Sequence, residues 1–484
     1  MFNGSYAGDR WQDLNQINVS NVKNLKVACR FPTGETGAFQ AGPVIADGIL
    51  YFTSVNTTYA IDATNCKSIW KSTYVPATPL NFNTNRGVAL DGGKLYRDTQ
   101  DCHLLALDAA SGKMLWNVNV CDSTKGDFLS AAPIVWNDTV YVGIAGADWG
   151  ARGRMMAFGA SDGHQVWAFD LIPMGKEAGA DTWGKASTAA TGGGSTWTTY
   201  TLDPQTGELF VPVGNPAPDF SGDYRPGANL YTCSLVVLDA KSGQLKWYYQ
   251  LVPHDVHDYD LGAAPMLITT AAGKNLVVFG GKNGFVYGLD RATHAVVFKT
   301  AVGTILNQNS AATVQGSQVC PGWVGGVEWN GPAYALDRNE VIVGSNEWCG
   351  KYVLGEARYV AGKFFLGGSF VPGPYALSHG WVTALNADTG KVVWQDKTPG
   401  PALAGVSPTS GGVTFTGDMG GTFFAFDSKS GKILYQSKTT GAMAGGVVAY
   451  REHGKEYVVA DSGNVSRSIW PGATGSATIY IFSL

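Results

Sequence analysis

A twelve-residue pattern recurs along the chain, and this repetition limits the possible folds more than any other feature of the sequence. Its clearest copy runs from Leu105 to Trp116 and reads Leu-Ala-Leu-Asp-Ala-Ala-Ser-Gly-Lys-Met-Leu-Trp. Each copy predicts a strand, a tight turn shaped by Asp and Gly, and a second strand that ends in an aromatic residue. The seven copies end at Trp70, Trp116, Trp167, Trp247, Phe298, Trp394 and Tyr435.

The spacing of these aromatic residues predicts an all-β fold, an eight-bladed β-propeller with tryptophan-docking blade repeats. Successive gaps are 46, 51, 80, 51, 96 and 41 residues, and repeats of roughly 40–50 residues with four strands each are typical of propeller blades. The gap of 80 predicts one blade with a long insertion, roughly from Ile172 to Pro226. The gap of 96 predicts a degenerate eighth blade near Val341–Tyr352. A seven-bladed ring with a large excursion is the alternative, and either ring predicts a single domain over residues 1–484.

Composition excludes several other classes of protein. The 34 basic and 38 acidic residues give a net charge of −4, which argues against nucleic acid or an anionic membrane surface as partner. The 64 glycines, 57 aromatic residues and only 15% charged residues favour many turns between packed strands over disorder, coiled coil or helical bundle. No apolar run approaches the roughly 18 residues of a membrane span, and no secretory signal is visible at the start.

The seven cysteines are scattered, and their pairing cannot be deduced from the sequence. No Cys-x-x-Cys zinc spacing or Cys-x-x-Cys-His haem-attachment motif occurs. Structural disulfides with one cysteine left over are therefore the expectation, and no haem c domain is predicted in this chain.

The segment Pro253-His-Asp-Val-His-Asp-Tyr-Asp260 carries the densest group of titratable residues. In an extended segment, a period of two would place Asp258 and Asp260 on the same side. Two convergent carboxylates could hold a hard cation, and one of them could act as a base. A polar surface loop is the alternative explanation of the same residues.

Four further residues stand in unusual local contexts. Asn215 lies in Gly-Asn-Pro-Ala-Pro, where prolines stiffen a loop that could present the amide oxygen to a cation. Trp197 follows three glycines, so a flat ligand could approach and stack on its indole. Arg86 and Lys282 each stand beside a glycine and could clamp an anion. The alternatives are an ordinary rigid turn at Asn215, core packing of Trp197, and exposed turn charges at Arg86 and Lys282.

These motifs, taken in order, resemble those of the pyrroloquinoline quinone (PQQ) dependent alcohol dehydrogenases, and within that family the polyvinyl alcohol dehydrogenase-like members. The resemblance covers nearly the whole chain. It rests on Asn-Arg-Gly at 85–87, Gly-Gly-x-x-Trp at 193–197, Gly-Asn-Pro-Ala-Pro at 214–218, His-Asp-x-x-Asp at 254–258 and Gly-Lys-Asn-Gly at 281–284.

The resemblance implies roles for the cofactor-binding residues. Trp197 would be the floor on which the quinone stacks, and Asp258 would be the general base that removes the alcohol's proton. Arg86 and Lys282 would hold cofactor oxygens, with Lys282 standing where many relatives carry Arg. Further matches to cofactor-contacting positions are Gln40, Ser130 and Asn346.

The resemblance also implies a metal site formed by Asn215, Asp258, Asp148 and Asp260. Relatives usually place a metal-ligating Glu where Asp148 stands, so this ligand is one methylene shorter. Asp260 is an additional carboxylate that resembles the lanthanide-using members. Ca²⁺ is the first expectation and a lanthanide ion is the alternative. A vicinal Cys-Cys pair that often covers the cofactor is replaced here by Pro79-Leu-Asn-Phe-Asn-Thr84.

Membership of this family implies oxidation of an alcohol to an aldehyde or ketone by hydride transfer to metal-bound PQQ. Electrons would pass to a separate cytochrome c, and the protein would act in the bacterial periplasm. A bulky, secondary or polymeric alcohol is the substrate hypothesis, because the disulfide cover is missing. A non-catalytic propeller scaffold and a sugar-oxidising quinoprotein are the alternatives.

Overall fold

The computed structural model describes residues 3–465 and 475–484, and most of its regular secondary structure consists of short strands. The strands follow one another along the chain as β1 Lys26–Pro32, β2 Val44–Ala46, β3 Ile49–Thr53, β4 Thr57–Asp62, β5 Ser68–Thr73, β6 Ala89–Asp91, β7 Lys94–Asp98, β8 His103–Asp108, β9 Met114–Asn119, β10 Ile134–Trp136, β11 Thr139–Gly143, β12 Arg154–Gly159, β13 Gln165–Asp170, β14 Thr201–Asp203, β15 Glu208–Pro212, β16 Ser234–Asp239, β17 Leu245–Gln250, β18 Met266–Thr269, β19 Asn275–Gly280, β20 Phe285–Asp290, β21 Val296–Ala301, β22 Ser317–Val319, β23 Ala333–Ala335, β24 Glu340–Glu347, β25 Gly350–Leu354, β26 Gly368–Pro372, β27 His379–Asn386, β28 Val392–Thr398, β29 Ser407–Pro408, β30 Val413–Gly417, β31 Thr422–Asp427, β32 Ile433–Lys438, β33 Val447–Glu452, β34 Lys455–Ser462 and β35 Thr478–Ser483.

Short 3₁₀ helices lie in the connections between these strands. They are Val22–Asn24, Ser123–Lys125, Ala147–Trp149, Ala180–Thr182, Ala186–Thr191, Gly222–Tyr224, Leu336–Arg338 and Tyr375–Leu377. Within the described ranges, no helix has the length and apolar character needed to cross a membrane.

The strands form antiparallel four-stranded sheets, and the all-β propeller prediction is confirmed. Eight such sheets occur among the described residues: β2–β5, β6–β9, β10–β13, β14–β17, β18–β21, β23-β24-β27-β28, β29–β32 and β1-β35-β34-β33. The last of these joins both ends of the chain, because β1 pairs with β35 along Lys26–Pro32 and Thr478–Ser483. A separate three-stranded sheet, β22-β25-β26, takes β22 from the segment before the sixth sheet and β25 and β26 from between its second and third strands.

Adjacent sheets are held together by the aromatic residue that ends each repeat. The Trp70 Nε1 donates to the Ala109 carbonyl at 3.0 Å and the Trp167 Nε1 to the Ala240 carbonyl at 2.9 Å. Each acceptor follows the turn Asp of the next copy. The indole also covers the turn glycine, since a Cβ on Gly243 would lie 2.6 Å from the Trp167 ring. The core therefore lies between neighbouring sheets, where Trp167 packs with residues of both.

The position predicted for the eighth repeat is wrong. Val341 belongs to β24, in the sheet that already ends at Trp394, and Tyr352 belongs to the inserted β25. The gap of 96 therefore holds one sheet with a long insertion. The additional sheet is the one that joins the chain ends, and it lacks the Asp-Gly turn because its fourth strand comes from the beginning of the chain.

Three disulfides pair six of the seven cysteines, which confirms the expectation of one left over. They are Cys29–Cys66, Cys102–Cys121 and Cys320–Cys349, and the thiol of Cys233 is buried. Cys29 lies on β1 and Cys66 in the β4–β5 turn. The first disulfide thus links the sheet that joins the chain ends to the first sheet of the ring.

We predict that Gly243→Ala lowers the midpoint of thermal unfolding more than Gly273→Ala does. Both glycines have similar positive φ angles, +71° and +76°, so both substitutions carry the same backbone strain. Only at Gly243 would the new Cβ overlap an indole, whereas nothing described lies within 4 Å at Gly273. Overpacking of this kind costs about 1–3 kcal/mol. Equal effects of the two substitutions would show that docking of the indole on the turn does not stabilise the ring.

Candidate active site

One cavity at one end of the sheets gathers most of the residues singled out from the sequence. Its atoms enclose about 660 Å³, including the open mouth. Seven of the predicted site residues line it: Arg86, Ser130, Asp148, Trp197, Asp258, Asp260 and Lys282.

Strand order explains why residues so far apart in sequence meet there. Arg86, Ser130, Trp197 and Asp258 all lie in segments that lead into the first strand of a sheet, and Lys282 lies between the second and third strands of one. In an antiparallel sheet these two kinds of connection lie at the same end. The repeated Asp-Gly turns, between third and fourth strands, lie at the other end. The ring therefore separates the docking turns from the loops that carry the site.

The other three predicted residues are buried beside the cavity. The backbone N–H of Asn215 donates to Asp260 Oδ1 at 2.6 Å. Gln40 Oε1 accepts from the Thr84 hydroxyl at 2.6 Å. The Asn346 side-chain amide donates to the carbonyl of Val324, which does line the cavity.

Arg86 and Trp197 form the floor of the cavity. The Arg86 guanidinium lies 4.6 Å from the centre of the Trp197 ring and donates to the Trp197 carbonyl at 3.0 Å. The Ser130 hydroxyl donates to the same carbonyl at 2.9 Å. The Lys282 ammonium lies 5.6 Å from the same ring. Backbone carbonyls thus hold Arg86 against the indole, and two cations beside one indole suit a flat anion.

Asp258, Asp260 and Lys282 form a buried charge cluster. Lys282 Nζ lies 3.1 Å from Asp258 Oδ2 and 2.5 Å from Asp260 Oδ2. The two carboxylates converge as predicted, but the extended segment is wrong, because Asp258 has a φ of +61°, which is not that of an extended strand. The alternative of a polar surface loop is also wrong, since Asp258 and Asp260 are only 4% and 2% exposed.

Burial decides the protonation of this cluster. Burial raises the pKa of Asp258 well above its usual range; Lys282 opposes the rise, and the neighbouring Asp260 adds to it. The pKa of Lys282 is also raised well above its usual value, because its two carboxylate partners outweigh the cost of burying the ammonium. Lys282 therefore stays charged. Its one positive charge does not balance both carboxylates, which compete for a further proton or cation.

A second group of carboxylates could hold a cation. Oxygens of Asp148, Asp219 and Asp258 all lie within 4.8 Å of one another. Two of these were predicted, whereas Asp219 was missed, although it directly follows the Gly-Asn-Pro-Ala-Pro motif. Carboxylate oxygens at this spacing suit calcium or a lanthanide ion better than a soft metal.

Five further aromatic residues line the cavity, and sequence reasoning did not identify them. Phe82 lies 5.6 Å from Phe128 and 6.1 Å from Trp149, between ring centres. Trp323 and Trp329 line the cavity as well. Phe82 belongs to the segment that replaces the vicinal cysteine pair of relatives. This part of the cavity lining is therefore apolar, whereas the sequence predicted only that the disulfide covering the cofactor is missing.

Comparisons with known proteins agree with this geometry. The family described as glucose/ethanol/alcohol dehydrogenase, beta-propeller domain, matches residues 1–310, and the one described as outer membrane protein assembly factor BamB matches residues 378–471. The chain is 31% identical to the quinoprotein alcohol dehydrogenase PedH of Pseudomonas putida, over 96% of this chain and 85% of that protein. It is also 31% identical to a lanthanide-dependent methanol dehydrogenase of Methylacidiphilum fumariolicum, over 96% of this chain and 84% of that protein. A europium-containing methanol dehydrogenase superposes with a TM-score of 0.92 at 28% identity, covering 100% of this chain and 97% of that one.

We predict that Asp98→Asn stabilises the protein more at pH 8 than at pH 5. Asp98 is fully buried and accepts from the Asn85 amide beside Arg86, and burial raises its pKa to about 8, while Arg97 and Arg86 oppose the rise. Between roughly pH 4 and 8 the folded state keeps a proton that the unfolded chain has lost, so wild-type stability falls as pH rises, by at most about 1.4 kcal/mol per pH unit.

Asparagine keeps the shape without the titrating proton, so the difference in melting temperature between variant and wild type should grow with pH. The exposed Asp181→Asn is the control. A difference that is the same at pH 5 and pH 8 would contradict the prediction.

Proposed function

The chain belongs to the PQQ-dependent alcohol dehydrogenases and is an enzyme that oxidises an alcohol, and we propose that the cavity above Trp197 is its active site. The observation that carries the proposal is convergence. Arg86, Trp197, Asp258 and Lys282 span nearly 200 residues of sequence, yet all line one cavity. The product would be an aldehyde or a ketone.

The residues present fit the cofactor of this family. PQQ is a flat quinone with three carboxyl groups, so it needs a flat apolar surface and cations. Trp197 would carry its ring system, and Arg86, Lys282 and Ser130 would hold its oxygens. The Nε of Arg86 donates no hydrogen bond to any described residue, which leaves it available. Gln40 and Asn346 remain proposed contacts at the edge of the ring.

In the proposed mechanism Asp258 removes the hydroxyl proton of the alcohol. Its two carboxylate oxygens have more lone pairs than Lys282 and a metal ion would occupy, and its raised pKa suits a group that must take up a proton. When bound, PQQ with its metal ion supplies the electrophilic carbon that accepts the hydride. Lys282 keeps Asp258 oriented through its 3.1 Å contact. The aromatic side chains that line the cavity exclude water from the reacting alcohol.

For the metal site we propose Asn215, Asp258 and Asp148 as ligands, with Asp260 as the anion that balances Lys282. Ca²⁺ remains the first expectation from the sequence, and a lanthanide ion is the alternative that two similar proteins carry in their names. Reconstitution with PQQ plus each ion separates the two.

We further propose one propeller domain over residues 1–484, with the eight four-stranded sheets as its eight blades. Pairing of β1 with β35 supports a closed ring. A separate cytochrome c is the proposed electron acceptor, in keeping with a relative named methanol dehydrogenase (cytochrome c) subunit 1. We propose the periplasm as its location by family likeness.

The alternative of a non-catalytic scaffold lacks a supporting observation. A scaffold has no reason to keep Trp197, Asp258 and Asn215 together, and in this chain the first two line one cavity while the third bonds Asp260 beside it. A sugar substrate is separated from an alcohol by assaying both with the same reconstituted protein.

We predict that Asp258→Asn abolishes alcohol oxidation in protein reconstituted with PQQ and metal. Loss of a general base costs roughly 10²–10⁴ in kcat, measured as alcohol-dependent reduction of an artificial electron acceptor. Asp223→Asn, on an exposed residue, is the control and should retain wild-type activity. A fully active Asp258→Asn, or a wild type that turns over without PQQ, would remove the proposed mechanism.

We propose a bulky alcohol with an apolar body as the substrate, among which the secondary and polymeric alcohols of polyvinyl alcohol dehydrogenase-like enzymes are one class. Phe82, Phe128, Trp149 and Trp323 line the cavity and offer apolar contact there. A small alcohol such as methanol would touch few of these side chains.

We predict that Phe82→Ala lowers kcat/KM for a bulky alcohol about tenfold and changes kcat/KM for ethanol by less than threefold. The expected loss corresponds to removal of roughly 1.5 kcal/mol of apolar contact. Phe31→Ala, on the outer strand β1 and outside the cavity lining, controls for general destabilisation. A wild type that prefers methanol or ethanol over bulky alcohols would overturn the substrate proposal.

A further inference from the structure

We infer that Asp219, rather than Asp260, supplies the third carboxylate ligand of the metal site, beside Asp148 and Asp258. This inference rests on the proposed function and refines its ligand set. Oxygens of Asp148, Asp219 and Asp258 lie within 4.8 Å of one another, and Asp260 is not part of that group.

The contacts of Asp260 turn it away from a cation. Its Oδ1 accepts the backbone N–H of Asn215 at 2.6 Å, and its Oδ2 lies 2.5 Å from Lys282 Nζ. A metal ion bound to Asp260 would have to lie close to an ammonium group. Mutual repulsion of two cations in a buried site is costly, so Asp260 serves to neutralise Lys282.

One oxygen of Asp258 contacts Lys282, and the other has no hydrogen-bond partner among the described residues. Its Oδ2 contacts Lys282 at 3.1 Å. Its Oδ1 is buried and accepts no hydrogen bond from any residue within 3–465 or 475–484. A buried carboxylate oxygen is stable only with a partner. The cation group beside it provides the place for that partner.

Arg225 explains how Asp219 reaches this place. Its fully buried guanidinium donates to three backbone carbonyls, those of Pro218 (3.0 Å), Asp219 (3.0 Å) and Asp255 (2.5 Å). The Asp255 carboxylate in turn accepts the backbone N–H groups of His257 and Tyr259. One side chain therefore fixes both the loop that carries Asp219 and the loop that carries Asp258.

The charge of the three carboxylates bears on the choice of ion. Each ligand charge stabilises a trivalent ion more than a divalent one, because the Coulomb energy scales with the product of the charges. Asp219 therefore favours a lanthanide over Ca²⁺ at this site, and its removal should reduce that preference.

Terbium(III) alone is a direct probe, since Trp149, Trp197 and Trp323 line the same cavity and can sensitise its emission. We expect Asp219→Asn to weaken Tb³⁺ binding by about 10- to 100-fold and to lower the Tb³⁺/Ca²⁺ affinity ratio. Emission lifetimes in H₂O and D₂O should show additional bound water in this variant. Asp260→Asn should bind Tb³⁺ within a few-fold of wild type, and Asp219→Glu should restore tight binding.

Equal losses in Asp219→Asn and Asp260→Asn, or a loss in Asp260→Asn alone, would overturn the inference. Melting temperatures of all variants establish that they are folded. If Asp219→Asn does not fold, the emission lifetime is measured on Asp219→Glu instead. The number of waters bound to Tb³⁺ in that variant must then differ from wild type. If wild type oxidises alcohol with PQQ and metal while Asp219→Asn leaves Tb³⁺ binding unchanged, only the inference fails. If wild type binds no Tb³⁺ and has no activity, the proposed function fails as well.

Discussion

The contact between each closing aromatic residue and the turn of the next sheet is the interaction on which the rest of the structure depends. Indole N–H groups donate to the carbonyl of the residue that follows the third strand of the next sheet, as Trp116 does to Ala160 and Trp394 to Ser428. Where His294 occupies the place of the turn glycine, Trp247 stacks on its ring at 4.1 Å instead. Because these contacts lie at the turn end of the sheets, the loops at the other end are free to vary and to carry polar residues.

Local patterns in the sequence predicted what is built locally. Asp, Gly and the aromatic residue of each repeat lie within twelve residues, so seven sheets could be recognised from their turns. The sheet that joins the chain ends could not, because its strands β1 and β35 are separated by more than 440 residues and share no turn. The long gap before Trp394 predicted a hidden repeat, but the structure shows that an additional three-stranded sheet fills it.

The candidate site follows the same division. Arg86, Trp197, Asp258 and Lys282 carry recognisable local motifs, and the structure places them in one cavity. Asp219 and Phe82 carry no such motif, since their importance arises only from residues brought to them by the ring. The convergence of Asp258 and Asp260 was predicted for the wrong reason. The backbone at Asp258 has a positive φ, and the carboxylates meet at their shared partner Lys282, not through a two-residue period.

Charge balance gives the strongest physical reason to regard this site as one for a cation and an anionic cofactor. Five carboxyl groups, from Asp148, Asp219, Asp258, Asp260 and Glu328, face two cations, Arg86 and Lys282. Burial has lowered the pKa of Arg86 to about 9 and raised that of Asp258, so neither charge is well solvated. A site of this kind must either retain protons or bind a metal ion, and binding of the ion must release those protons. Loading of the site is therefore coupled to pH through Asp258 and Asp260, while Lys282 stays charged because its two carboxylate partners outweigh the cost of its burial and raise its pKa.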